Sequence, residues 1–135
     1  MNDKLSAQIE GKVLGWPGVS KETGCGDPDQ GGFWVPLATI YRFGRRQIGH
    51  VHHNEDSLAD YSFPKSVREE LIRSGRVVPH PTFPDSQTVA SYRVRNTEDV
   101  PGAVELFRMN YERAVARDAR HAARTNPTAI QKEAT

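Results

Sequence analysis

The sequence is poor in cysteine, in long apolar runs and in net charge, and each shortage removes a class of explanation. A single cysteine, Cys25, cannot close an internal disulfide, and without a second cysteine at zinc-ligand spacing the fold must be held by packing. No apolar stretch approaches the roughly 20 residues that span a bilayer, and the opening MNDKLSAQIEGK is too polar for a signal peptide, so the expectation is a cytoplasmic protein without a membrane partner. With 18 basic and 17 acidic side chains the formal charge is +1, which gives no global field for nucleic acid, a membrane surface or a polyanion. The glycine-rich stretch GCGDPDQGG at 24–32 lacks the Lys-Ser/Thr ending of a phosphate loop, and no strand-to-helix step shows dinucleotide spacing, so no nucleotide cofactor is expected. What remains is 135 residues with 36% apolar content, enough for one compact domain.

Periodicity orders that domain. Leu5, Ile9 and Val13 recur every fourth residue and predict a short helix that Gly15 and Pro17 end. GCGDPDQGG reads as a mobile loop and a candidate lid. β-Branched and aromatic residues flanking Gly44-Arg45 predict a hairpin of strands at about 37–43 and 46–53. Asn54-Glu55-Asp56 turns the chain into a third strand, SLADYSF, giving an antiparallel meander. Pro64 opens a helix over 64–74 that Gly75 caps, TVASYRV is a further strand, and Thr97 opens a helix on which Val100, Val104, Phe107, Tyr111 and Val115 form a stripe. From about Asp118 the stripe fades, and 118–135 is expected to fray, leaving 1–117 as the domain. The class is α+β, an antiparallel meander sheet with helices packed on one face.

Alternation along the second strand sets His50 and His52 on one face, with Ile48, and sends Gln47, Gly49, Val51 and His53 to the other. Across the two turns Tyr41 is expected opposite Ile48, Leu37 opposite His52, and Thr39 and Asp60 on either side of His50. A carboxylate beside an imidazole favours the charged ring and fixes its tautomer, which a general base near neutral pH needs. His50, His52 and Asp60 are therefore the candidate catalytic residues, with Thr39 and Tyr41 lining a ligand site among aromatic side chains. His80, Asp85 and Ser86 sit on the proline-stiffened loop PHPTFPDS, a way to hold polar groups at a pocket rim. The metal alternative has His50 and His52, with Cα atoms about 6.7 Å apart, joined by His80 or Asp85 as a third ligand. Arg113, Arg117, Arg120 and Arg124 line one side of the last helix, but Glu98, Glu105, Glu112 and Asp118 interrupt that field and argue against nucleic acid.

The motifs FGRRQIGHVH, ADYSFPKSVREELIRSGRVVPH, PDS and ELFRMNYERA resemble the luciferase-like domain family, found in bacterial proteins of unknown function and in the luciferase of bioluminescent fungi. The resemblance implies a small-molecule site that, in the fungal branch, oxygenates a hydroxypyrone with molecular oxygen and no recognised redox cofactor. It matches family histidines to His50, His52 and His80, and the PDS triplet to Asp85 and Ser86. Gln87-Thr88 stand where the family tends to have Gly-Trp, so a pocket wall there differs, and light emission is not transferred. The functional expectation is a cofactor-independent enzyme or binding domain for a compact enolic or aromatic ligand. The alternative is a non-catalytic module that docks protein or nucleic acid.

Overall fold

A computed structural model of the chain describes residues 1–24 and 38–125. The candidate lid beyond Gly24, with Cys25 and Leu37, and the last ten residues of the expected tail lie outside the described residues.

Helix α1 spans Asp3–Val13 and begins where the Asn2 side chain accepts a hydrogen bond from the Leu5 N–H. Its buried stripe is Leu5, Ile9 and Val13, as the four-residue spacing requires. Six antiparallel strands follow: β1 (Val19–Gly24), β2 (Ala38–Phe43), β3 (Arg46–His52), β4 (Leu58–Ser62), β5 (Val78–Pro79) and β6 (Val89–Arg93), in the sheet order β1-β2-β3-β4-β6-β5. Gly44, at φ +60°, makes the tight turn between β2 and β3. Both outermost strands escaped the sequence reading. β1 carries Lys21 and Glu22 with no apolar alternation, and β5 has only two residues.

Helix α2 (Lys65–Arg73) starts after Pro64 and stops before Gly75, whose φ of +76° closes the turn. A short 3-10 turn, Thr97–Asp99, leads into α3 (Val100–Thr125), with Asn96 and Asp99 forming a reciprocal capping box. The helix does not fade at Asp118. Alanine and arginine fill its last turns, and their intrinsic preference carries it to Thr125 after the apolar stripe has ended.

One face of the sheet is sealed by α3 and α1. Phe107 is fully buried, edge-on to Tyr41 and Tyr61 at centroid distances of 5.4 and 4.9 Å. Burial of a ring of this size contributes about 1.5–3 kcal/mol. Gly49 of β3 lies directly beneath it, and a Cβ there would meet Phe107 Cε1 at 2.5 Å. Two polar bonds fix the helix on the sheet: the Tyr61 hydroxyl donates to the Ala103 carbonyl at 2.8 Å and the Asn110 amide to the Ile48 carbonyl at 3.0 Å.

The pairing of β2 with β3 corrects the expected register. Phe43 pairs with Arg46 as expected, but Tyr41 pairs with Gly49, Thr39 with Val51, Ile40 with His50 and Ala38 with His52. A β-bulge between Tyr41 and Arg42 leaves Ile48 without a partner of its own. The extra residue shifts every pair beyond the bulge by one. The bulge also turns Ile48 into the core and leaves Gln47 on the side of His50.

Candidate functional site

The sheet face opposite α1 and α3 carries a different chemistry. One row of paired residues runs across all six strands: Glu22, Ile40, His50, Asp60, Ser91 and Val78. The expected pairing of His50 with Asp60 is present, whereas the expected Thr39 is replaced by Ile40.

Asp60 is the centre of the group. Its side chain is 1% exposed, while those of His50, His52 and His80 keep 25%, 14% and 15%. Three imidazoles converge on the single oxygen Oδ2: His52 Nε2 at 2.6 Å, His80 Nε2 at 3.2 Å and His50 Nε2 at 3.3 Å. The Ser91 hydroxyl donates to the other oxygen, Oδ1, at 2.5 Å. Burial by itself would raise the Asp60 pKa, but bonds from His50, His52 and Ser91, together with the charge on His50, hold the carboxyl far below the usual range of such groups.

The outer ring nitrogens distribute the protons. His80 Nδ1 accepts hydrogen bonds from the backbone N–H groups of Thr82 and Phe83 at 3.0 and 3.3 Å, so its proton sits on Nε2 and is donated to Asp60. His52 donates its Nε2 proton to Asp60 along the shortest contact, and its buried Nδ1 has no partner among the described residues. His50 Nδ1 lies 2.7 Å from the Gln47 side-chain carbonyl and donates to it. In the neutral ring this leaves the His50 Nε2 lone pair 3.2 Å from His52 Nε2 and 3.3 Å from Asp60 Oδ2, whereas in the charged ring the same nitrogen donates to Asp60. The most exposed imidazole of the cluster is thus the one whose two forms the surroundings both accommodate.

Not every expected residue joins this group. Thr39 lies on the opposite face, where its hydroxyl shares a 2.7 Å hydrogen bond with His53 Nε2. Tyr41 is 1% exposed in the core and donates its hydroxyl to Glu10 of α1 at 3.1 Å. Both corrections follow from the bulge. Ser86 serves its own loop, accepting from the N–H groups of Thr88 and Val89 at 3.3 and 3.0 Å as β6 begins, and Asp85 is exposed. In the same loop Phe83 is 47% exposed and packs its ring 5.2 Å from His80.

Two participants were missed. Ser91 lies in a strand read only for its apolar alternation, and Gln47 was assigned to the far face. Gly49 was the available signal for Gln47, since a glycine inside a strand marks a bulge or a close backbone approach.

Donor atoms of His50, His52 and Asp60 lie within 4.8 Å of one another. This set differs from the expected metal alternative in having Asp60 where His80 was placed. Arg46 at the start of β3 and Arg117, Arg120, His121 and Arg124 of α3 line a cationic hollow. Among the described residues no helix is long and apolar enough to cross a membrane.

No curated protein and no solved structure matches the chain. A family model described as Luciferase domain matches residues 45–110, a stretch that includes all of β3, β4, α2, β5 and β6, and the four groups His50, His52, Asp60 and His80. Over those residues the chain is similar to the luciferase-like family that its motifs resemble.

Proposed function

We propose that the His50/His52/His80/Asp60 cluster is the reaction centre of a small cytoplasmic enzyme that takes a compact enolic or aromatic compound. The observation that carries this reading is the position of His50, with Nδ1 2.7 Å from Gln47 and Nε2 3.3 Å from a buried carboxylate that already holds two other imidazoles. His50 removes an acidic proton from the bound compound. The imidazolium so formed is stabilised by Asp60 Oδ2 at 3.3 Å, and His52 and His80 hold that carboxylate in place. The electron-rich anion left on the ligand then reacts with molecular oxygen or is reprotonated at another carbon. Phe83, exposed beside His80, offers a ring for the ligand to stack on.

An unbiased metabolite screen, scored by binding and by turnover, tests the proposal with His50→Ala as the paired variant. Loss of a general base costs about 10²–10⁴-fold in rate, so the variant should keep affinity for the compound found and lose its conversion. Equal turnover by wild type and His50→Ala would overturn the mechanism.

The cationic hollow of Arg46, Arg117, Arg120, His121 and Arg124 favours a second reading, a module that docks an anionic partner. A salt-sensitive gel shift with nucleic acid that disappears on changing Arg117 and Arg120 supports it. No shift at low salt removes nucleic acid as that partner.

A further inference from the structure

The three donor atoms that meet at the centre of the sheet, His50 Nε2, His52 Nε2 and Asp60 Oδ2, are separated by 3.2, 2.6 and 3.3 Å. Ligand atoms bonded at about 2.0–2.2 Å to one ion in a tetrahedral site stand about 3.3–3.6 Å from one another. Two of the three separations are close to that condition. The third is the His52–Asp60 hydrogen bond, which a cation would open by up to about 1 Å.

We propose that His50, His52 and Asp60 bind one divalent transition-metal ion of the Zn²⁺, Co²⁺ or Fe²⁺ class. Two imidazoles and one carboxylate select this class, because Ca²⁺ and Mg²⁺ prefer oxygen ligands throughout. Three protein ligands leave coordination positions open.

The surroundings of the donors match what metal ligands require. A ligating histidine uses one nitrogen for the metal and donates its other N–H to a fixed acceptor. His50 has this arrangement in place, with Gln47 taking the Nδ1 proton at 2.7 Å. Asp60 also has it, because Ser91 binds Oδ1 and His80 donates to Oδ2 at 3.2 Å. His52 must change tautomer, moving its proton to an Nδ1 that has no partner among the described residues. This is the one step the cluster does not prepare.

Metal and proton use the same lone pair of His50, so a bound cation switches off the base. That consequence rests on the proposed function, whereas the uptake of metal rests on geometry alone.

The test is a Co²⁺ titration of tag-free protein that has been stripped with chelator and dialysed, followed by visible absorption and by competition with Zn²⁺. One ion per chain should bind, Zn²⁺ should displace it, and Mg²⁺ at the same concentration should not. His50→Ala and His52→Ala, each checked for native circular dichroism, should weaken binding by at least 10-fold. Gln47→Ala should weaken it by about 10-fold, and His121→Ala should leave it unchanged. Failure of the folded wild type to take up Co²⁺ or Zn²⁺, or uptake that His50→Ala and His52→Ala leave intact, overturns the inference. The two ideas fail separately, because uptake is read without any substrate and the base is tested on metal-free protein.

Discussion

The two faces of one sheet are built on opposite principles, although the same strands supply both. On the helix-covered face Val51, Ala59 and Tyr61 are buried in one apolar core with Phe107, and the ordering force is close packing. On the other face His50, His52 and Asp60, neighbours of those residues in sequence, arrange themselves around one buried anion. The first face sets how stable the domain is, and the second carries the proposed reaction centre. The bulge at Ile48 joins the two, since it lets Gly49 fit beneath Phe107 while bringing Gln47 round to His50.

If this division is right, substitutions on the two faces should differ in kind. Phe107→Ala removes a fully buried ring from between two tyrosines and should cost about 3–5 kcal/mol, read by denaturant unfolding. Asp60→Ala strips the acceptor from three imidazoles and Ser91. Removing one partner of a buried charged network costs about 3–5 kcal/mol; the lower part of that range is expected because the histidines keep some contact with water. Gly49→Ala drives a methyl group to within 2.5 Å of Phe107 and 2.9 Å of Tyr61 and should destabilise by about 1–3 kcal/mol. His50→Ala, by contrast, should move the unfolding midpoint little and abolish conversion of the ligand. If it unfolds the domain as Phe107→Ala does, the two faces are not separate.

The smallest effect concerns pH. His53, on the helix side, has its pKa lowered from 6.5, chiefly by burial. The fold thus prefers the neutral ring, and the unfolded chain binds more protons below that value. The contribution of His53 is complete above about pH 6.5 and declines as the pH falls below it. Unfolding curves at pH 7 and pH 5 should show a smaller difference for His53→Asn than for wild type. Asp60 acts lower on the scale. Its depressed pKa gives stability that is full above its ordinary value of 3.8 and is lost as the pH falls from there toward the folded-state value.

Much of this was legible in the chain itself. Leu5, Ile9 and Val13 announced α1, Gly44 announced the hairpin, and the two-residue period of β3 put His50 and His52 together. The partnership of His50 with Asp60 followed from turn lengths alone. What escaped depended on contacts that period and propensity do not encode. A single unpaired residue, Ile48, moved Thr39 and Tyr41 off the predicted face, and Gly49 hinted at it without fixing its position. Ser91 and His80 reach Asp60 only because β6 lies next to β4 and β5 closes the edge, a neighbourhood fixed by tertiary pairing. The sequence reading gave the Asp60 contact to His50; His52 holds the shortest one.

The central claim is that one carboxylate oxygen organises three imidazoles and that His50, when neutral, carries its proton on Nδ1 toward Gln47. Nitrogen-15 NMR of the imidazole rings in metal-free protein reads this directly, because protonated and unprotonated ring nitrogens have distinct shifts. The account requires His52 and His80 as Nε2–H tautomers and His50 as the Nδ1–H tautomer, with the His52 and His80 signals losing their order in Asp60→Asn. Finding neutral His50 as the Nε2–H tautomer, or three rings that do not respond to Asp60→Asn, would contradict it.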